Sequence, residues 1–216
     1  MRSGADRTAP GARKWTWRTV VPRARGVVAT EGPQSLLVKI LGDTVYRRLW
    51  LYEATEPPRR VEAAIPVQLS GLLSADVEKY AAAQPAHSAH EAATRLEEGA
   101  SCLLARHEGR IVGSIWVTPD FARIDYLDLT VPLESNERYL HEVYVDPAVR
   151  NRLVGVVLLT AMVRDALRDG APRVIGTGLP ENAAGIRLIE RGGLRRVGTV
   201  GYVGVGRWRR HFLRLQ

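Results

Sequence analysis

The stretch that decides the fold is RYLHEVYVDPAVRNRLVGVVLLTAMVRDALRDG, residues 138–170. Its first eight residues, Arg138–Val145, are rich in aromatic and β-branched side chains, which predicts a β-strand. Pro147 ends that strand, because proline has no N–H group to donate to a β-ladder. From about Leu153 the sequence is apolar except for one narrow polar stripe, so it predicts a largely buried helix that ends at Gly170. The stretch is therefore a strand that leads through a short turn into a helix.

The turn between this strand and helix is basic and contains a glycine: it reads Arg150-Asn151-Arg152-Leu153-Val154-Gly155. The N–H groups in the first turn of a helix have no intrahelical acceptors and carry a partial positive charge. Beside two arginines, such N–H groups would form a cradle for a pyrophosphate. On these residues alone, an ordinary strand-to-helix turn with solvated arginines is an equally good interpretation.

Two motifs in the sequence resemble those of a known superfamily. The strand, the V-x-P that ends it and R-x-x-x-x-G before an apolar helix resemble the acyl-CoA-binding motif of the GNAT superfamily of N-acyltransferases. The segments 181–184 (ENAA) and 188–194 (LIERGGL) resemble the superfamily's next motif, an asparagine followed by a helix and a Gly-Phe-like strand start. The motifs occur in the family's order and spacing, and the resemblance covers roughly residues 65–215. It implies an α/β, GNAT-like fold with a mixed, strongly twisted central sheet and helices on both faces.

Hydrophobic alternation and turn residues predict the other elements of this fold. The predicted strands span residues 65–69, 101–107, 110–117, 123–130, 174–179, 194–205 and 208–215. One predicted helix begins at Ser74, and two more span residues 88–98 and 182–191. Ahead of them, RRLWLYE at residues 47–53 predicts a strand outside the usual family core, which we expect to pair with an edge of the sheet.

Composition divides the chain into three parts. Residues 1–33 are rich in Arg, Gly, Ala, Pro and Thr and show no sustained period, which predicts a flexible basic arm. Residues 34–64 are interpreted as an N-terminal extension with one strand, and residues 65–216 as the GNAT-like domain. Trp15 and Trp17 in the arm either dock onto the domain or a partner, or belong to a partly ordered tail.

The resemblance also implies where acetyl-CoA, the expected acyl donor, would bind. In the family two neighbouring parallel strands splay apart, and the pantetheine arm lies in the gap like an extra strand, next to a turn that holds the pyrophosphate. The matching cofactor-binding residues are Val143, Tyr144, Val145, Arg150, Asn151, Arg152, Leu153, Val154, Gly155 and Asn182. We expect Leu153 to offer its N–H group in helical geometry and Gly155 to leave open space for the phosphates.

The sequence departs from the family pattern at two positions that bear on the chemistry. Leu153 stands where the family usually has its first glycine, which denies the phosphates their closest approach to the backbone. Ile189 stands where the family often has a tyrosine that protonates the departing thiolate. General acid catalysis typically contributes about a hundredfold to ten-thousandfold, so its loss slows the reaction without forbidding it. Tyr144 and Tyr202 are the candidate substitute donors.

His141 and Glu142 on the central strand are the candidate catalytic bases that would deprotonate an attacking amine. Consecutive residues of a strand point to opposite faces, so we expect at most one of the two to face the substrate. A surface or ion-paired role is the alternative for each. The histidines show no metal-ligand spacing and Cys102 is the one cysteine, so we expect no metal site.

The net positive charge of the chain is a reason to consider nucleic-acid binding. The formal net charge is +8 and the sequence pI is about 10.1, which invites a nucleic-acid interpretation. Most of the positive charges are arginines scattered along the chain rather than clustered on one element, so we expect no nucleic-acid partner. A single cysteine, the lack of an apolar secretory segment and apolar runs too short to cross a bilayer predict a cytoplasmic protein without a membrane span. We expect a monomer or a homodimer, and the sequence does not decide between them.

These features predict an N-acyltransferase that moves an acyl group, in the first instance acetyl, from acyl-CoA to a primary amine by direct attack in a ternary complex. Two alternatives remain open. One is a catalytically weak GNAT-like module that binds acyl-CoA or a protein partner, supported by Leu153 and Ile189. The other is a basic nucleic-acid-associated protein. The sequence does not specify the acceptor, which is a small-molecule or peptide amine.

Overall fold

The computed structural model describes residues 45–84, 87–205 and 208–216. The arm predicted for residues 1–33 lies outside the described residues. The strands are β1 (Tyr46–Ala54), β2 (Gln68–Gly71), β3 (Ser101–His107), β4 (Arg110–Thr118), β5 (Phe121–Ile124), β6 (Leu129–Pro132), β7 (Arg138–Val145), β8 (Val174–Gly178), β9 (Arg195–Val203) and β10 (Arg210–Leu215). The helices are α1 (Val77–Ala83), α2 (Ala89–Glu97), α3 (Val154–Arg168) and α4 (Ala183–Arg191).

Eight of the strands form one mixed sheet in the order β10-β9-β1-β8-β7-β4-β3-β2. β7 and β8 run parallel, and the other neighbours run antiparallel. Helices α3 and α4 cover one face, and α1 and α2 cover the other. Neighbouring residues of β4 show this division, because Ile115 packs into the cluster under α3 whereas the Trp116 indole donates to the Tyr80 hydroxyl of α1 at 2.8 Å. The expected α/β fold, with helices on both faces of a mixed sheet, is confirmed.

Helix α3 forms the centre of the larger apolar cluster, as its nearly continuous apolar sequence predicts. Leu158 and Val163 are fully buried, and the helix packs on β4, β7 and β8. Gly170 lies just beyond the helix with φ +91°, a conformation that glycine adopts without steric cost. In the part of the chain that the structure describes, no helix is both long and apolar enough to cross a bilayer.

Helix α2 begins with a capping box. The Glu91 N–H donates to Ser88 Oγ at 3.1 Å, and the Ser88 N–H donates to Glu91 Oε2 at 3.0 Å. The helix predicted to begin at Ser74 starts instead with a 3-10 turn, and the α-helix begins at Val77. The strand predicted from residue 65 begins at Gln68.

Strand β1 lies inside the sheet, not at its edge as we expected from the sequence. It pairs with β8 through Trp50 and Gly178 and with β9 through Tyr46 and Val203. Leu49 is buried on the face opposite to that of Tyr52, which is fully buried in the cluster under α3. A strand buried on both faces needs consecutive apolar residues rather than alternation, and β1 has them.

The stretch predicted as one strand at residues 123–130 is a hairpin instead. β5 and β6 pair with each other in a separate two-stranded sheet. A 3-10 turn at Asp125–Leu127 and the left-handed backbone of Asp128, with φ +51°, separate the two strands. The buried residues of the hairpin pack on Tyr139 and Tyr202, so it covers the central strands beside the α1–α2 pair.

An ion-pair cluster ties four strands together at one end of the sheet. Glu137, only 3% exposed, accepts a hydrogen bond from the Arg173 guanidinium just ahead of β8. Arg173 also lies 3.5 Å from Glu53 of β1, and Glu53 accepts from Arg195 of β9 at 2.9 Å. This cluster holds β7 and β8 together where their parallel pairing begins.

The position of β1 leads to a test of stability. Tyr52→Ala should lower the free energy of unfolding by about 3 to 5 kcal/mol, because it removes a fully buried aromatic ring. Arg48→Ala on the same strand is the control and should change it by less than about 0.5 kcal/mol, since Arg48 is exposed. Urea unfolding measures both. Equal, small losses would show that β1 does not belong to the core.

Candidate functional site

The candidate site lies where β7 and β8 separate. Their parallel pairing runs from Arg138 opposite Val174 only as far as Leu140 opposite Gly176. β7 nevertheless continues to Val145 and stays paired with β4 on its other side. Among the described residues no strand pairs with the β8-facing edge of β7 beyond Leu140. Such an edge offers backbone donors and acceptors to an extended ligand.

A β-bulge at Glu142 shapes this free edge. Glu142 has φ +52°, and the pairing with β4 shifts between Ser114 opposite Tyr144 and Trp116 opposite His141. The bulge interrupts the alternation of side chains, so the expectation that His141 and Glu142 point to opposite faces is wrong. Nδ1 of His141 lies 3.9 Å from Oε1 of Glu142, and both side chains lie on the face covered by α1 and α2.

Glu142 forms a charged contact with two side chains that the sequence analysis did not select. The guanidinium of Arg95 on α2 donates to both carboxylate oxygens, at 3.0 Å for Oε1, and Nε2 of His87 lies 3.0 Å from Oε2. The Arg95 guanidinium also lies 5.3 Å from the centre of the Trp116 ring. The sequence could have identified Arg95 from its position between Ala92 and Leu96, which pack in the core. An arginine on the inward face of a helix needs an acidic partner.

The pKa of Glu142 argues against this residue as the general base. Burial by itself would raise the pKa of the carboxyl group, but the facing His141 and Arg95 outweigh burial and hold it well below its usual range. An efficient base has a pKa near the working pH, so a carboxylate that resists protonation is a weak one. The geometry therefore favours the ion-paired alternative for Glu142.

His141 is placed differently. Its ring stacks on Tyr139 with a centroid distance of 5.7 Å, and the Tyr139 hydroxyl shares a 2.9 Å hydrogen bond with Thr177 of β8. Nε2 of His141 is buried and has no hydrogen-bond partner within residues 45–84, 87–205 and 208–216. His141 therefore brings an imidazole nitrogen without a partner to the point of strand separation.

The basic turn lies directly after the free edge of β7. Arg150, Asn151 and Arg152 are exposed, as a phosphate-binding turn requires. Leu153 caps α3 in a left-handed conformation with φ +63°, so the expectation that it offers its N–H group in helical geometry is wrong. A residue with a side chain pays roughly 1 to 2 kcal/mol for this conformation, which glycine adopts freely.

Gly155 does not leave open space for phosphates, contrary to the sequence-based expectation. A Cβ atom added there would lie 2.6 Å from Leu188 Cδ1 and 3.1 Å from Val145 Cγ2. Gly155 instead allows α3 to pack closely against α4 and β7. Val154 is buried too, so these two residues can offer a ligand only backbone groups.

Asn182 and Ile189 belong to the second motif. Asn182 caps helix α4, and Ile189 packs in the core. Asn182 Oδ1 accepts from the Gly185 N–H at 2.9 Å and so caps α4. Ile189 packs over Gly178, where an added Cβ would lie 3.0 Å from Ile189 Cδ1. Of the substitute proton donors, Tyr202 is buried beside the β5–β6 hairpin and Tyr144 is half-buried. Among the described residues no group of three His, Cys, Asp or Glu side chains could hold a metal ion.

Comparison with known proteins agrees with this geometry. Residues 70–193, more than half of the chain, match the family described as Acetyltransferase (GNAT) family. A protein of Novosphingobium aromaticivorans assigned to the GNAT family of acetyltransferases has 17% sequence identity and a TM-score of 0.53, over 73% of this chain and 62% of that one. A GCN5-related N-acetyltransferase from Sphaerobacter thermophilus has 17% identity and a TM-score of 0.51, over 76% of this chain and 54% of that one.

The chain thus spans less than two thirds of the length of these two solved structures, and at such low identity the likeness concerns the fold. No curated protein matches the chain in sequence.

The ion pair of Glu142 predicts a pH-dependent stability difference. Glu142→Gln should lower the free energy of unfolding at pH 7 by about 1 to 3 kcal/mol, because it removes charge-assisted bonds to Arg95. The folded carboxyl group has a lowered pKa, so its contribution is fully present above the unfolded value of about 4.3 and is lost progressively as the pH falls from that value toward the lower pKa of the folded state. Urea unfolding between pH 7 and pH 3 should show the variant and the parent converging. Glu97→Gln on the exposed side of α2 is the control, and a difference that widens in acid would contradict the pKa assignment.

Proposed function

Because the chain belongs to the Acetyltransferase (GNAT) family, we propose that it transfers an acyl group, acetyl in the first instance, from acyl-CoA to a primary amine. The observation that carries the proposal is the separation of β7 from β8 directly ahead of a basic helix start. The free edge at residues 141–145 suits the amides of a pantetheine arm, and the turn with Arg150 and Arg152 suits a pyrophosphate.

Different residues of the chain would bind different parts of acyl-CoA. The backbone of Val143, Tyr144 and Val145 would hydrogen-bond the pantetheine amides as a neighbouring strand does. The guanidinium groups of Arg150 and Arg152 would pair with the phosphates, together with N–H groups of the first turn of α3. When bound, acyl-CoA supplies an acyl group activated as a thioester.

We assign the role of general base to His141. Its buried, unpartnered Nε2 would take the proton that the amine loses as its nitrogen bonds to the thioester carbonyl carbon and the C–S bond breaks. Glu142 positions this histidine, because its contacts with Arg95 and His87 fix the bulge that brings the imidazole to the strand separation. The acceptor amine would approach on the face between α2 and the β5–β6 hairpin, where His141 lies.

Ile189 cannot protonate the departing thiolate, so we expect a lower rate of acyl transfer. A thiol has a pKa of about 8.5, so a thiolate leaves at neutral pH with less help than an alkoxide needs. Orientation of amine and thioester in one ternary complex would supply most of the acceleration. The expected enzyme is therefore slower than relatives with a tyrosine at this position, but active.

Cofactor binding tests the proposal first. Acetyl-CoA and CoA should raise the melting temperature, since a ligand at a hundred times its Kd adds about 2.7 kcal/mol to stability. The double variant Arg150→Ala/Arg152→Ala should weaken CoA binding at least about tenfold by calorimetry, because it removes two charged partners of the phosphates. The control Arg168→Ala/Arg191→Ala makes the same charge change at the far ends of α3 and α4. Unchanged melting at millimolar CoA would remove the basis of the proposal.

The role of His141 has its own test. With an amine acceptor found by screening small amines and peptides, His141→Gln should lower kcat by about a hundredfold to ten-thousandfold and remove the acidic limb of the pH–rate profile. CoA affinity should stay near that of the parent, because His141 is not among the groups assigned to the cofactor. The melting temperature should fall modestly, because glutamine loses the stacking on Tyr139. His90→Gln, on the exposed side of α2, is the matched control. A variant with normal kcat and an unchanged pH profile would assign the base elsewhere.

A further inference from the structure

Three strands at one side of the sheet form a face on which arginines and aromatic rings are interleaved. The register places three residues of each strand side by side: Tyr46, Arg48 and Trp50 of β1, Val203, Gly201 and Thr199 of β9, and Arg210, Phe212 and Arg214 of β10. These nine residues are here named the β1–β9–β10 face. It belongs to the same side of the sheet as α4, which reaches the Trp50 end of it. Tyr46 and Val203 are 45% and 48% exposed.

The aromatic rings of this face pack against one another and against neighbouring arginines. Tyr46 and Phe212 stack with a centroid distance of 6.0 Å and an interplanar angle of 12°. Gly201 lies opposite Phe212 in the strand register, and a Cβ atom added there would be 2.8 Å from Phe212 Cζ, so the Phe212 ring covers the glycine. Trp50 is covered in turn by the Arg196 guanidinium, 4.2 Å from its ring centre. The Arg214 guanidinium lies over Phe212, 5.4 Å from its ring centre, so rings and arginines alternate across this face.

The positive charge of the face is not neutralised by neighbours. Arg48, Arg210 and Arg214 are exposed, and with Arg196 they form no ion pair with any acidic residue in the described part of the chain. None of the nine residues is acidic. Arg195, which begins β9, contrasts with them, because it pairs with Glu53.

We propose that the β1–β9–β10 face binds single-stranded nucleic acid. Exposed aromatic rings on a sheet stack with unpaired bases, and flanking arginines contact the phosphates. Three strands about 4.8 Å apart, and five residues rising about 3.4 Å each, give a surface for two or three nucleotides. A duplex suits this face less, because its bases are stacked inside and a flat sheet enters neither groove. The inference is independent of the acyl transfer, and it revises the expectation of no nucleic-acid partner.

The experiment is fluorescence anisotropy of the full chain with labelled 12-nucleotide oligo(U) and oligo(dT) between 50 and 200 mM salt. Binding should weaken with salt with a logarithmic slope of about −2 to −3, as three or four phosphate contacts on a single strand predict. Phe212→Ala should weaken binding at least about fivefold, whereas Phe212→Tyr should retain it, because tyrosine also stacks. Arg210→Glu/Arg214→Glu should abolish most of the affinity. The control Arg59→Glu/Arg60→Glu makes the same charge change in an exposed loop and should bind almost as the parent does.

Competition experiments distinguish single-stranded nucleic acid from other polyanions as the ligand of this face. An unlabelled single strand should displace the probe more efficiently than a duplex of equal length or heparin at equal charge, and saturating CoA should leave the probe bound. The proposal is overturned if no binding occurs at 50 mM salt, or if the Phe212 and Arg210/Arg214 variants, shown by thermal melting to be folded, bind as the parent does. It is equally overturned if CoA displaces the probe or if duplex and heparin compete as well as the single strand.

Discussion

The parallel contact between β7 and β8 extends over only three residue pairs, and the candidate site depends on its ending at Leu140. Two features confine it. Glu137 and Arg173 hold the strands together where they begin, and the bulge at Glu142 turns β7 along β4 and away from β8. A sheet that separates midway leaves backbone groups without protein partners, which is costly unless a ligand or water pairs with them. Between the two edge strands of the described sheet, unpaired hydrogen-bonding groups are therefore concentrated at this opening.

The residues on either side of this opening carry the backbone strain of the site. Glu142 and Leu153 both adopt a left-handed conformation, with φ of +52° and +63°, which costs residues with side chains roughly 1 to 2 kcal/mol each. The contacts that oppose this cost differ. The Arg95 guanidinium and His87 hold Glu142 in place, whereas burial of α3 from Val154 onward fixes Leu153. Because neighbouring residues hold both strained positions in place, the edge of β7 and the basic turn keep a fixed position relative to each other.

The sequence predicted those parts whose determinants are local. The period of α3, the helix predicted over residues 88–98 and the strands predicted over residues 101–107 and 110–117 are each specified within a few residues, and the structure has them all. The bulge at Glu142, the partners of its carboxylate and the packing of Gly155 against Leu188 depend on residues far along the chain. They were missed for that reason. The interleaved face of β1, β9 and β10 was also hidden, since its arginines are scattered in sequence and meet only through strand order.

The insertion of β1 between β8 and β9 has a consequence for how the chain folds. The strand made earliest among those described has its hydrogen-bonding partners 120 or more residues later, at Val174–Gly178 and Arg195–Val203. During synthesis β1 therefore has no strands to pair with, and its apolar residues stay unburied, until β8 and β9 have left the ribosome. Pairings of such long sequence separation raise the contact order, which slows folding and prolongs exposure to aggregation. The N-terminal half of this protein cannot complete its sheet ahead of the C-terminal half, so the molecule should fold as one late, cooperative event.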